Sequence, residues 1–221
     1  KKVKKSILIR NGFDIKSICE SRNNNMPENL FTFLSDSKFI VIASRLSETS
    51  VHKRTDLVIE TFSKIINKLP SLKLVICGDG PLAYLYKDLV CKHSIRSNVF
   101  FTGFLRREQL WNIFHKASLF ISLSKYEGMS NSLIEAALCE TPLFLSKIPT
   151  HLEVVPSNLA YYVDNYDPNF LSKEIIKSLH KSKQTNKNPL KLYSLLKKYS
   201  LEQMKSEYVK LYDLIFENRL N

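Results

Sequence analysis

The stretch Leu119-Phe120-Ile121-Ser122-Leu123-Ser124-Lys125-Tyr126-Glu127-Gly128-Met129-Ser130-Asn131-Ser132-Leu133-Ile134-Glu135-Ala136 decides the reading of this chain. It opens on a β-rich apolar run, Leu119–Leu123, turns at Gly128, and enters a helix near Ser130 or Asn131. Ser and Asn are good N-caps, because a short side-chain oxygen can accept from the orphan amides of the first turn. Strand, turn and helix together make half of a parallel crossover unit. The unit recurs on both sides of this stretch. Further β-rich runs lie at Phe39–Ala43, Leu72–Cys77, Asn98–Thr102, Leu143–Ser146 and Ala160–Val163. Amphipathic stretches separate most of them. Leu57, Val58, Thr61, Phe62, Ile65 and Ile66 form one helical face, and Leu110, Ile113 and Phe114 another. This alternation predicts an α/β fold, a Rossmann-like parallel sheet of about six strands with helices on both faces. Residues 168–180 read as a further helix and 189–218 as one or two more, with no strand after them. Lys181–Pro189 (KSKQTNKNP) reads as a loop. Residues 19–37, with Asn23-Asn24-Asn25 and Pro27, read as a linker into the first strand.

The chain has only five glycines, and Gly78, Gly80, Gly103 and Gly128 each stand just past a predicted strand. That carboxyl edge is where open α/β sheets bind ligands. Several chemistry-bearing residues share it. The helix start after Gly128 offers free amides to an anion. Glu127 and Glu135 offer two carboxylates, each able to accept two hydroxyl bonds, which suits a polyol such as a sugar or ribose. The plainer reading is a capped helix with a solvated Glu. Arg45 follows the first strand, with Lys53 and Arg54 at the next helix start. Phosphates need such cations, and Arg offers a planar fork. The plainer reading here is a charged surface loop. With strand order 3-2-1-4-5-6, the loops after strands 1 and 4 flank one crevice and the two clusters converge. Cations, a helix N-terminus and two carboxylates then match a nucleotide diphosphate carrying a hydroxyl-rich group.

Other classes are excluded or weakened. Gly78-Asp79-Gly80-Pro81 lacks the third glycine of the dinucleotide fingerprint, since position 83 is Ala83, and it follows the second strand. No phosphate-loop lysine motif and no Gly-x-Ser-x-Gly elbow occurs. Apolar residues make up 44% and charged residues 24%, which rules out a disordered or fibrous chain. No apolar run nears the roughly 18 residues of a membrane helix, and no secretory signal opens the chain. The formal charge of +12 points at first to nucleic acid, but its distribution argues otherwise. Residues 1–10 carry five bases and no acid, and residues 173–221 carry eleven bases against five acids. The middle is close to neutral. Basic ends suit an acidic surface, such as lipid headgroups or a partner domain, or simply a solvated face. Cys19, Cys77, Cys91 and Cys139 and the five histidines are scattered. That predicts reduced, mostly packed thiols in a cytoplasmic protein, with no metal site and no nucleic acid partner.

Taken in order, these segments resemble the nucleotide-sugar-binding, C-terminal half of a group 1 retaining glycosyltransferase of the GT-B fold. The resemblance covers roughly residues 6–180. Ile9-Arg10-Asn11-Gly12-Phe13-Asp14 resembles the family's Pro-Asn-Gly-Val-Asp segment at the domain junction. Ala43-Ser44-Arg45-Leu46 with Lys53 resembles its Gly-Arg-Leu and downstream Lys. Gly78-Asp79-Gly80-Pro81 is a frequent family turn, and Phe101-Thr102-Gly103-Phe104 resembles the segment that meets the base. Glu127 and Glu135 match the paired glutamates, the helix continues as Ala136-Ala137-Leu138-Cys139-Glu140-Thr141-Pro142, and Glu153 matches a Glu after the fifth strand. Ser44 and Glu140 stand where the family usually has Gly, Arg10 where it has Pro, and the Arg45-to-Lys53 loop carries an insertion.

The resemblance implies roles. Arg45 and Lys53 hold the donor pyrophosphate, and backbone around Gly103, Phe104 and Leu105 meets the base. Glu135 binds the ribose, and Glu127 touches the transferred sugar. Amides from Gly128, Met129, Ser130, Asn131 and Ser132 meet sugar hydroxyls and phosphate. The catalytic set is Glu127, Arg45 and Lys53. No cofactor or metal is implied beyond the donor itself, a UDP- or GDP-sugar. The acceptor, a glycan or lipid-linked molecule, belongs to an N-terminal domain. The expected division is residues 1–37 as interdomain linker and end of that missing domain, 38–182 as donor-binding domain, and 183–221 as C-terminal helical segment, whose closing helix near residues 200–218 packs on the missing domain. A start at Lys1-Lys2 without Met fits a fragment that binds nucleotide with little transferase activity. Lys, Asn and Ile richness points to an AT-rich bacterial genome and surface polysaccharide synthesis, in the cytoplasm or at the inner face of its membrane through the basic ends. The rival is a non-catalytic Rossmann-like module contacting a partner or anionic membrane. A GT-B epimerase or phosphorylase is a third reading, and no motif for the phosphorylase's lysine-bound cofactor is present. The intact Arg45, Lys53, Glu127 and Glu135 set favours the enzyme half.

Overall fold

Phe39 and Val41 face one way from β1 (Phe39–Ala43), Ile40 and Ile42 the other, and all four are buried. A strand apolar on both sides must be covered on both sides. In the computed structural model, which describes residues 6–23, 26–185 and 189–220, it is. β1, β2 (Lys73–Cys77), β3 (Val99–Phe101), β4 (Leu119–Ser122), β5 (Leu143–Ser146) and β6 (Tyr161–Val163) form one parallel sheet in the order β3-β2-β1-β4-β5-β6. β1 and β2 share five paired positions, from Phe39↔Lys73 to Ala43↔Cys77. β1 and β4 share only Ile40↔Leu119 and Val41↔Phe120, the shortest ladder in the sheet. The six expected strands are all present, each within a residue of its expected ends.

Each face carries its own core. On one side, α3 (Thr55–Ile65), α4 (Ala83–Lys92) and α8 (Pro168–Thr185) bring Val58, Ile59, Phe62, Val90, Leu171 and Ile175 onto Ile40, Ile42, Leu74 and Ile76. On the other, α5 (Arg107–Lys116), α6 (Asn131–Leu138) and α9 (Pro189–Leu196) cover Phe39, Val41, Val75 and Phe120 with Phe114, Leu133, Ala137 and Leu196. α7 (Pro149–Val154) follows β5, and α10 (Leu201–Leu220) closes the chain.

Two expectations change. Residues 19–37 hold the end of α1 (Ile15–Glu20) and all of α2 (Glu28–Leu34), and Leu30 and Leu34 sit in the core beside Phe39. Ser21–Asn23 is a helical turn following α1, and Pro27 is the N-cap of α2, so these described residues are not an extended linker. Asn24 and Asn25 lie outside the described residues. Likewise, Lys181–Thr185 is not a loop but the last part of α8, because Lys, Ser and Gln tolerate a helix already begun. Residues 186–188 lie outside the described residues, as do Lys1, Lys2, Lys4 and Lys5 of the basic N-terminus. The end of the chain holds two helices, α9 and α10, broken by a single turn at Lys197–Tyr199. Ser200, just after that turn, pairs with Phe13. Phe13 N–H donates to Tyr199 O at 2.8 Å, and Leu201 N–H donates to Phe13 O at 3.0 Å.

Candidate functional site

Strand order makes the chain reverse between β1 and β4, and a cleft of about 500 Å³ opens there at the carboxyl edge of the sheet. The loop after β1 contributes Arg45 and Lys53 to it, the loop after β3 contributes Phe104 and Leu105, and the start of α6 contributes Met129, Asn131, Ser132 and Glu135. Ala43, Ser44, Cys77, Asp79 and Leu110 complete the lining. Residues more than 90 positions apart thus converge as the strand order requires. A larger hollow, about 740 Å³, lies at the opposite edge, among Lys38, Leu72, Ser118 and Pro142, which precede the strands. It holds none of the residues flagged in the sequence.

Main-chain bonds join the turns beneath the cleft. Ser44 N–H donates to Cys77 O at 3.0 Å, Leu46 N–H to Asp79 O at 2.9 Å, and Gly78 N–H to Gly103 O at 3.2 Å. This close approach explains the Gly78-Asp79-Gly80 turn. Gly78 has φ +135°, and a Cβ there would stand 2.0 Å from Ser44 O.

The charged residues are individually placed. Arg45 is exposed and makes no ion pair among the described residues. Lys53 Nζ donates to Glu127 Oε1 at 2.8 Å, with the two side chains 22% and 6% exposed. Ser124 Oγ donates to the same Oε1 at 2.7 Å. Glu127 therefore joins the cleft wall through Lys53. Glu135 is buried on α6, and Trp111 Nε1–H donates to its Oε1 at 3.1 Å. Burial pushes the Glu135 carboxyl above the ordinary carboxylate range, while the Trp111 bond and the Arg107 charge pull it back.

The amides of Ser132 and Leu133, in the first turn of α6, have no intrahelical acceptor. Ser130 is the N-cap residue by position, but its side chain makes no capping bond, and Oγ is buried without a partner. Ser130 thus leaves the first-turn amides without its side-chain oxygen as an acceptor among the described residues. Of the segment 128–132, Gly128 is exposed, Ser130 lies beneath the surface, and the other three line the cleft. Gly103 contributes its carbonyl to the turn network rather than a surface to the cleft. Glu153, on α7, pairs with Arg10 at 2.7 Å, so the substituted junction residue and the Glu after β5 meet each other. Asn11 Nδ2 reaches Asn131 Oδ1 at 3.4 Å.

Sequence reasoning missed Trp111, Ser124 and Thr150, whose Oγ1 donates to the Glu127 carbonyl at 2.7 Å. Trp111 is the only tryptophan, and nothing in its spacing ties it to Glu135. The four cysteines are free, with Cys77 and Cys139 buried, Cys19 partly so, and Cys91 exposed rather than packed. Burial pushes the Cys77 thiol up to about 12. Among the described residues no His, Cys, Asp or Glu trio gathers as a metal site, and no helix is long and apolar enough to cross a membrane.

Known proteins resemble this chain in sequence and fold. A Staphylococcus aureus poly(ribitol-phosphate) α-N-acetylglucosaminyltransferase is 24% identical over 212 residues, 93% of this chain and 41% of the relative. An uncharacterised glycosyltransferase of Methanocaldococcus jannaschii is 25% identical over 146 residues, 66% of this chain and 35% of the relative. The chain spans less than half the length of these relatives. Among solved structures, a glycosyltransferase from Rickettsia africae superposes with TM-score 0.77 at 16% identity, covering 96% of this chain and 57% of that one. Anabaena HepE, solved with UDP and glucose, gives 0.74 at 15% identity, covering 93% and 56%. These structures share the fold, the Rossmann-like domain of a GT-B protein. The model of the family described as glycosyl transferases group 1 matches residues 28–191, about three quarters of the sequence, and the chain belongs to that family.

Proposed function

We propose that this chain is the donor-binding half of a glycosyltransferase that moves a sugar from a nucleotide diphosphate to a glycan or lipid-linked acceptor. The observation that carries the reading is the convergence of Arg45, Lys53, the open amides of α6 and Glu135 on one cleft, with Glu127 paired to Lys53. In this reading Arg45, Lys53 and the helix start receive the pyrophosphate. As the glycosidic bond breaks, the departing diphosphate gains negative charge, and donors already aimed at it lower the barrier. Glu135 accepts from the ribose hydroxyls, the Phe104 and Leu105 segment meets the base, and Glu127 meets the sugar. Transfer with retained configuration is part of the same proposal.

Uridine is the base we infer, because Anabaena HepE, alike in fold, was solved with UDP. The Staphylococcus relative acts on poly(ribitol-phosphate), which favours a role in surface polysaccharide synthesis. The human relative, a phosphatidylinositol N-acetylglucosaminyltransferase subunit 27% identical over 124 residues, favours the lipid-linked alternative for the acceptor. In either case the acceptor site lies on an N-terminal domain. Calorimetric titration of this chain with UDP, GDP, ADP and CDP tests the donor reading. UDP binding that weakens at least about tenfold in Arg45→Ala is the expected result. No heat with any of the four from a folded chain, or binding indifferent to Arg45→Ala, counts against it.

A further inference from the structure

Glu127 is held more firmly than a surface ion pair requires. Lys53 and Ser124 both donate to Oε1, and among the described residues no donor meets Oε2. Ser124 is itself buried and braced. Its carbonyl accepts from Ser146 Oγ at 2.7 Å, and its hydroxyl lies 3.3 Å from Ser122 Oγ. Ser122 Oγ lies 3.3 Å from Nε2 of His151, a fully buried side chain on α7. The other imidazole nitrogen, Nδ1, lies 2.9 Å from the Ser146 carbonyl, which can only accept. Nδ1 therefore carries the hydrogen, and Nε2 offers its lone pair to Ser122. Burial lowers the imidazole pKa and keeps it neutral, against the pull of Glu127 and alongside the push of Lys53. Ser122 gives its one hydrogen to Nε2 and Ser124 gives its own to Glu127, so no hydrogen joins the two hydroxyls; Ser124 is braced from Ser146, whose Oγ donates to the Ser124 carbonyl and whose carbonyl accepts from His151 Nδ1. A buried polar network is costly unless it is satisfied, and the charged group that this one bonds is Glu127.

We propose that Ser124, braced by His151 through Ser146, is a positioning residue that presents Glu127 to the sugar of the donor. Lys53 alone leaves the carboxylate free to swing about one contact. Ser124, bonding the same oxygen from the protein side, restricts that swing and leaves Oε2 without a protein donor among the described residues. The inference rests on the donor reading of the cleft, which assigns Glu127 to the sugar and Glu135 to the ribose.

The test is calorimetry with UDP, UDP-glucose and UDP-N-acetylglucosamine on wild type, Ser124→Ala and Ser124→Thr, with Trp111→Phe as the control on the ribose side. Ser124→Ala is expected to spare UDP while lowering the ratio of sugar-nucleotide to UDP affinity about tenfold, the worth of one hydrogen bond to a charged group. Ser124→Thr restores the hydroxyl and the ratio. Trp111→Phe weakens all three ligands alike. A ratio unchanged in Ser124→Ala, or UDP lost in parallel with the sugar nucleotides, overturns the proposal. A second readout needs no ligand: the ¹³C resonance of the Glu127 carboxyl, assigned with Glu127→Gln. It is expected to move in Ser124→Ala and return in Ser124→Thr, and an unmoved resonance also overturns the proposal. If wild type binds none of the nucleotides, the donor reading fails, while the resonance still decides whether Ser124 holds Glu127.

Discussion

Glu135, the proposed ribose ligand, opposes stability. Its carboxylate is buried, and burial raises its pKa above that of the unfolded chain. A raised carboxyl contributes stability that is complete at low pH and is lost as pH climbs from the ordinary carboxylate value through the folded one. Glu135→Gln keeps an oxygen for Trp111 and removes that loss. Its melting temperature should match wild type near about pH 4 and exceed it increasingly toward pH 7, while UDP binding falls. A variant less stable than wild type at pH 7 would contradict this. Trp111→Phe leaves the carboxylate buried without its donor and should cost about 1–3 kcal/mol in urea unfolding. Arg45, Lys53 and Glu135 could be picked out because charged residues beside predicted strand ends need no tertiary contact to be noticed. Trp111, Ser124 and His151 could not, since an aromatic on a helix face, a serine just past a strand and a lone histidine on a short helix give no sign of their partners until the chain folds.

The elements follow the sequence closely where one residue type sets the backbone, and less so where packing decides. The strands are dense in β-branched and aromatic residues, and their positions needed no knowledge of partners. α2 escaped notice because Leu30-Phe31-Thr32-Phe33-Leu34 shows no clean helical face: Leu30 and Leu34, four apart, are buried while Phe31 is exposed. At the end of α6, Glu140 has φ +59°, with Glu140 N–H on Ala137 O at 3.0 Å and Thr141 N–H on Ala136 O at 3.1 Å. That is the bonding pattern of a Schellman end, whose left-handed position favours glycine. Glu140 also pairs with Arg22 at 2.8 Å, an exposed bridge of small worth. Glu140→Gly should therefore stabilise the chain by about 0.5 kcal/mol, read as a higher urea midpoint. Gly78→Ala should do the opposite. With a Cβ driven into Ser44 O, at least about 2 kcal/mol should be lost and the turns under the cleft displaced. A near-wild-type midpoint would mean that the two turns can separate freely.

For the whole molecule, α10 carries Tyr208, Tyr212, Ile215 and Phe216 along one exposed stripe, with Val209 beside it. Such a stripe is unusual on a solvated helix. Tyr212→Glu with Phe216→Glu should lower the light scattering of concentrated samples without shifting the melting temperature; a large shift would mean that the stripe is already packed. The sheet has its own point of weakness. Its first half, β1 to β3, meets its second half, β4 to β6, through just two paired positions, and the cleft lies over that junction. Arg45 and Lys53 belong to the first half, Ser132 and Glu135 to the second. Local opening along that seam should show as separate cooperative units for the two halves in hydrogen exchange. A ligand that grips both banks then works as a clasp, so deuterium uptake along β1 and β4 should slow on loading more than anywhere else in the chain.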